Sequence, residues 1–216
     1  MYQPPHFRQE RLEVQHELIR SHPLGMLVTL GSAGLVANPL PFWLDASASS
    51  LGTLRAHLSR ANTQWRDFDS TREALVIFQS VEAYVTPSWY ETKRETGKVV
   101  PTWNYAVVQA YGAMKVVDDP AWLMRQITEM TQGQEARQTE PWSMDDAPAS
   151  FVAAQLKGII GVEIEITRIE GKWKVSQNRP EADRRGVAEG LRTSEDDAAR
   201  RMAELVEAFG PSPAST

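Results

Sequence analysis

From Leu24 to Val117 the sequence lays one strand-like segment after another, with no helical pattern between them long enough for a parallel crossover. Such a run can pair only with antiparallel neighbours. "LGMLVTLGSAGLVANPLPFWLD" reads as a hairpin: a strand from Leu24, a turn at Gly31-Ser32-Ala33-Gly34, and a return strand to Asp45. Pro39 and Pro41 lie in the return strand, and proline cannot donate to a ladder. That strand therefore has an edge or an irregular stretch there, its backbone open to something else. "LGTLRAHL" is a third strand, and "SRANTQWRDF" turns into a short helix. "ALVIFQ" and "EAYVTP" read as two more strands with a basic loop after them. A long β-rich stretch from Val99 to Val117 follows, interrupted by Pro101 and Gly112.

Helices frame this run. Phe7 to Ser21 carries Leu12, His16 and Ile19 at helical spacing and is stopped by Pro23. Asp118 and Asp119 before Pro120 make a helix start, because Asp caps free amides and Pro fits the first turn. Leu123, Ile127 and Met130 give that helix one apolar face. A short helix is expected from Ala149 to Lys157, after which "IIGVEIEITRIEGKWKV" alternates as an antiparallel strand does. A closing helix begins near Thr193 or Ser194, with Asp196 and Asp197 three residues on in the manner of capping boxes. The strand–helix alternation of a doubly wound sheet is missing. The order predicts a mainly β fold, an antiparallel barrel with peripheral helices.

A length of 216 residues suits one domain with a sizeable core. The formal charge of −5 repels nucleic acid and anionic membrane. With no cysteine, disulfides, thiolate metal sites and a cysteine nucleophile are excluded. The four histidines (6, 16, 22 and 57) lie far apart in sequence, which points away from a His-rich metal site. No export signal or apolar run of membrane-spanning length stands out, so a cytoplasmic location is expected.

Three stretches could carry chemistry. Ala83 to Gly112 holds four of the five tyrosines and two of the seven tryptophans, with Ser88, Asn104 and Gln109 among them. A flat, polar-edged ligand would want this mixture, although a core could also use the rings. In "RAHLSRANTQW" a strand ending at His57 runs into Ser59, Arg60 and Asn62 and then a helix start. Hydroxyl, guanidinium, amide and free helix-start amides on one patch suit a phosphate, and ordinary capping by Ser59 or Asn62 explains them equally well. In "WKVSQNRPEADRRGVAEGL" the succession Ser176, Gln177, Asn178, Arg179 could edge a ligand, but bracing a loop is the simpler account.

Together these segments resemble one family. "MYQPPHF", "HPLGMLVT", "HLSRANTQW", "YVTPSWY", "VPTWNYAVVQAYG", "KGIIGVEIEI" and "SQNRPEADRRGV" occur in the order characteristic of PaiB-type proteins of the FMN-binding split-barrel superfamily. The resemblance runs from Met1 to about Leu191 and implies a split β-barrel over residues 1–192. A helix over 193–209 would pack on or beside the same domain, and 210–216 would form a disordered tail. It also implies flavin mononucleotide held at a homodimer interface. By that resemblance Ser59, Arg60 and Asn62, with His57 close by, hold the phosphate. The backbone of Asn38, Pro39 and Leu40 flanks the isoalloxazine ring. Trp103, Asn104 and Tyr105, with Gln177 and Arg179, complete the site across the interface. The interface is expected to include part of the Tyr84–Tyr111 segment.

The chain departs from the family pattern at three positions. Pro39 and Gln109 stand where histidines are expected, and Thr63 where proline is usual. Any proton transfer or ligation by those histidines is lost here. The family is often labelled a negative transcriptional regulator, so a flavin-dependent regulator is one implied function. An FMN-dependent oxidoreductase is the alternative, its small-molecule substrate and electron donor unspecified. A flavin-free or haem-handling relative is disfavoured by the missing histidines. Direct DNA binding is doubtful: the net charge is acidic and no helix-turn-helix pattern is present. The basic concentration at Arg184, Arg185, Arg192, Arg200 and Arg201 is also interleaved with acids.

Overall fold

The computed structural model describes residues 1–209. The tail expected to be disordered, 210–216, lies outside the described residues. Among the described residues, ten strands form two mostly antiparallel sheets. In chain order they are β1 (Arg8–Gln9), β2 (Leu24–Gly31), β3 (Gly34–Pro41), β4 (Trp43–Asp45) and β5 (Thr53–Ser59). They continue as β6 (Ala74–Val85), β7 (Thr102–Gly112), β8 (Met114–Val117), β9 (Ile159–Glu165) and β10 (Arg168–Lys174). The helices are α1 (Leu12–Ser21), α2 (Glu91–Thr96), α3 (Pro120–Glu135), α4 (Ala149–Leu156), α5 (Glu181–Arg192) and α6 (Asp197–Ala208). One sheet has the order β1-β10-β7-β6-β2-β3, the other β4-β5-β9-β8. The expected mainly β, split-barrel architecture with peripheral helices is present, its sheets not closed into one cylinder.

The chain divides into two compact units. One comprises Leu12–Phe78 and Gln109–Ile169; the other draws on Met1–Arg11, Gln79–Val108 and the described chain from Glu170 onward. In the first unit the predicted hairpin turn forms, with Gly34 at φ 114°, a region open to glycine, but the return strand ends at Pro41 and Trp43–Asp45 is a separate strand in the other sheet. The prolines of the return strand are tolerated because β3 is the outermost strand of its sheet. Its register with β2 pairs Leu24 with Pro41, Met26 with Pro39, Val28 with Ala37 and Leu30 with Leu35. All eight side chains share one face, and seven of them are exposed, with Val28 partly so. The opposite face, with Leu27, Leu40, Val76 and Phe78, is buried core. A sheet face that is apolar on both sides is unusual for a solvated antiparallel hairpin.

The second sheet of this unit separates its faces more sharply. Leu54, Ala56 and Leu58 of β5 and Ile160, Val162 and Ile164 of β9 point into the core. Arg55, His57 and Ser59 alternate onto the other face, with Arg55 opposite Glu163 and His57 opposite Gly161. Helix α3 lies over this face. A Cβ on Gly161 would come within 2.4 Å of the Trp122 ring, so the glycine is what lets the helix approach. The expected cap is present: the Asp119 carboxylate accepts the Ala121 amide at 2.9 Å.

In the other unit, α5 and α6 pack against each other, with Val187, Leu191, Met202 and Val206 buried. Buried Asp183 of α5 accepts the Thr92 amide at 2.9 Å and its hydroxyl at 2.8 Å, tying down the first turn of α2. The closing helix starts at Asp197 rather than near Thr193 or Ser194, and Asp196 is itself the cap, accepting Ala198 N–H. The sequence reading differs from the structure in further elements: the first helix begins at Leu12 rather than Phe7, and the Val99–Val117 stretch is two strands, β7 and β8, in different sheets. "ALVIFQ" and "EAYVTP" are a single strand, β6. "IIGVEIEITRIEGKWKV" is two strands, β9 and β10, which lie in different sheets. The stretch after "SQNRP" is helical, and the basic loop contains α2.

Candidate functional site

Strand β5 ends where chemistry collects. Arg60 is pinned through its backbone on both sides: its N–H donates to Gly158 O at 2.9 Å, and its carbonyl accepts Trp65 Nε1–H at 3.1 Å. The guanidinium is therefore the part free to move. It forms a two-pronged pair with the Asp118 carboxylate, Nη1 to Oδ2 at 3.0 Å and Nη2 to Oδ1. The Asp118 hydrogen bond holds the guanidinium pKa above its ordinary value, and the same contact lowers that of Asp118. Ser59 Oγ accepts the Ala61 amide at 3.2 Å, leaving the hydroxyl proton without an acceptor among the described residues. Asn62 does what the capping account of this stretch requires: its Oδ1 accepts the Gln64 amide at 3.0 Å. Ring atom Nδ1 of His57 donates to Gln126 Oε1 of α3 at 2.8 Å.

Gln64, which sequence reasoning passed over, joins the two early groups of site residues. Only 1 % exposed, it accepts Asn38 Nδ2–H at 2.8 Å. Its Nε2 lies 3.2 Å from Leu27 O, 3.1 Å from Thr29 Oγ1 and 3.3 Å from Val36 O. Asn38 and Asn62 are thus linked through one buried residue, Gln64, which holds Asn62 by its backbone N–H and Asn38 by its side-chain oxygen. The available signal was its position two residues after a capping Asn, but nothing local says that a glutamine there will be buried. In β3, Leu40 is buried and Pro39 faces outward opposite Met26.

The five later residues belong to the other unit and divide by strand face. Buried Asn104 exchanges hydrogen bonds with Ser176, whose φ of 67° turns the chain after β10. Gln177 braces the same turn, accepting Val175 N–H at 2.8 Å and donating to Trp173 O at 2.5 Å. Trp103 and Tyr105 point the other way. Trp103 is 55 % exposed and meets Tyr84 edge to face, while Tyr105 has Lys172 Nζ 5.4 Å from its ring centroid. Together with Gln79, Glu82 and Val107 they line a shallow concavity of about 320 Å³. The Arg179 guanidinium stacks over buried Tyr90 at 4.7 Å. Lys174, whose Nζ donates to Thr102 Oγ1 and Trp103 O, has its pKa lowered by burial and by nearby Lys172 and Arg179.

Two mostly antiparallel sheets, not closed into one cylinder and flanked by helices, describe a class: a split barrel. Comparisons with known proteins place the chain more narrowly. Residues 1–168 match the family described as "Putative FMN-binding domain". The protease synthase and sporulation protein PAI 2 of Bacillus subtilis is 31% identical over 207 residues, spanning 96% of this chain and 97% of that protein. An uncharacterised protein of Emericella nidulans is 36% identical, spanning 93% of this chain and 94% of its own. Among solved structures, the flavocytochrome Anf3 from Azotobacter vinelandii superposes with a TM-score of 0.56 at 12% identity, covering 78% of this chain and 69% of its own. An FAD- and haem-binding protein from Mycobacterium smegmatis gives 0.54 at 15% identity, covering 76% and 71%. The chain belongs to the PaiB-type family of FMN-binding proteins, and its cofactor is FMN.

Proposed function

We propose that the chain works as an FMN-loaded homodimer in flavin redox chemistry, and that any regulatory effect passes through that chemistry rather than through direct contact with DNA. The observation that carries this is the Arg60 fork. A planar oxyanion, the Asp118 carboxylate, already sits on it in the two-pronged geometry that suits carboxylate and phosphate alike. The donors beside it, the Ser59 hydroxyl and the Asn62 amide group, complete a set that fits a phosphate monoester. Arg60, Ser59 and Asn62 would hold the phosphate, with His57 behind them fixed by Gln126. The β3 edge at Asn38, Pro39 and Leu40 would flank the ring system, its inward side made rigid by Gln64. Bound FMN supplies reversible electron and hydride transfer, and the protein needs only to orient substrate against it and keep water away.

The exposed apolar face of β2 and β3 supports the dimer. Eight paired apolar side chains without a charge among them are what a second copy would cover. Trp103 and Tyr105 are the outward-facing members of the later group and the ones open to a ligand or a partner subunit. Asn104 and Gln177 act through the turn they brace. A second reading, a flavin-dependent regulator of gene expression, is supported by the name of the Bacillus relative, which refers to protease synthesis and sporulation.

Titration of apoprotein with FMN and with riboflavin, followed by flavin fluorescence, tests the site. Tight FMN binding that R60A weakens about ten- to a hundredfold, with riboflavin unaffected, is the expected result. Equal loss for both flavins would remove Arg60 from the phosphate.

A further inference from the structure

Asp118 stands at the end of β8, one residue before the cap of α3, and its neighbour Asp119 is already committed to the Ala121 amide. Nothing in the α3 start requires a second carboxylate. Asp118 nevertheless turns to Arg60 and takes both Nη groups, the two donors that a phosphate would approach side by side. The pair is partly open, with side-chain exposures of 34% for Arg60 and 60% for Asp118, so it can exchange partners without unfolding anything. The Arg60 backbone stays fixed to Gly158 and Trp65 throughout.

Building on the assignment of Arg60 to the cofactor phosphate, we infer that Asp118 is an internal competitor for that guanidinium, and so sets both the affinity for FMN and the discrimination against flavins lacking a phosphate. A phosphate dianion and a carboxylate cannot both take the Nη1–Nη2 edge that Asp118 now occupies. Were both to stay near it, their like charges would repel across a few ångströms. Binding therefore exchanges one oxyanion for another, and the chain forfeits part of the gain. The device keeps the fork oriented before the cofactor arrives. It also keeps other small anions off a guanidinium that would otherwise be free.

The test uses full-length apoprotein and flavin-fluorescence titration with two probes, FMN and riboflavin. Wild type, D118N, R60A and the double variant are compared. D118N keeps the size of the side chain and removes its charge. It is expected to tighten FMN about tenfold at low salt, leave riboflavin unchanged, and have no effect on the R60A background. Weaker FMN binding in D118N would overturn the inference, because Asp118 would then be positioning Arg60 for the phosphate. Equal tightening of riboflavin would overturn it as well, since the effect would not pass through the phosphate. If R60A holds FMN as well as wild type, the phosphate assignment itself falls and takes the inference with it. If R60A loses FMN while D118N gains nothing, the assignment stands and the inference alone is refuted.

Discussion

Gln64 shows how much one buried amide can hold together. Three acceptors face its Nε2, and its Oε1 takes the Asn38 donor, so both ends of the side chain are in use at 1 % exposure. Gln64→Ala would leave Asn38 and Thr29 without this partner in a dry interior, a cost of about 2–3 kcal/mol. Urea denaturation should show a lowered midpoint with an unchanged slope. Gln64→Glu keeps the shape but turns a carboxylate toward carbonyl oxygens. Its folded-state pKa should then lie above its unfolded one, so stability is lost as pH rises through that range and recovered on acidification. A Glu variant whose stability does not improve at mildly acid pH would mean that water or a rotated amide satisfies the site.

At the scale of the element, helix α5 depends on two glycines on one face. A Cβ on Gly190 would lie 2.3 Å from the Trp89 ring, and one on Gly186 would lie 2.0 Å from Trp89 O. Replacing a helical glycine by alanine ordinarily stabilises by about 0.5–1 kcal/mol. Here the sign reverses, because the indole or the helix must move. Gly190→Ala is expected to cost about 1–3 kcal/mol and lower the thermal midpoint by several degrees. A raised midpoint would show that Trp89 has room to withdraw. Strand β2 carries the second element-scale prediction. Val28 sits at the centre of the exposed face, opposite Ala37 on one side and Leu75 on the other. Val28→Glu should leave the fold intact and convert a dimer to a monomer in sedimentation velocity. A wild-type chain that sediments at 24.2 kDa with FMN bound would remove the homodimer altogether.

For the whole molecule, charge is the property that decides what it can meet at a distance. The chain has 23 basic against 28 acidic residues, and pairing two copies doubles the deficit. Of the arginines concentrated near the C-terminus, Arg192 is paired with Glu207 and Arg200 with Asp197. Counterion release has little to act on. Mobility-shift titration with duplex DNA from the protein's own operon, at near-physiological salt, should show weak or no retardation. Submicromolar, sequence-specific binding would instead favour the direct regulator over the redox reading.

Local chemistry was legible wherever a residue acts on its own backbone neighbourhood. The hairpin turn, the Asp119 cap, the Asn62 cap and the edge position of the Pro39–Pro41 strand follow from side chains that bond, or fail to bond, within a few residues. Alternation along β5 likewise put His57 and Ser59 on one face. Longer-range choices were not legible. Nothing in "EIEITRIEGK" says that the chain leaves one sheet for the other at Ile166–Thr167, because both halves carry the same alternating pattern. The break depends on which strand edge each half meets. The pairing of Arg60 with Asp118, the burial of Gln64 beneath β2 and β3, and the inward turn of Asn104 toward Ser176 join residues 26 to 72 positions apart. Such contacts form only after the sheets have set the distance. Sequence by itself therefore determined the strand and cap vocabulary and the FMN-binding family. Tertiary structure decided which of the polar residues face a ligand and which are spent holding the fold, because that depends on neighbours supplied by distant parts of the chain.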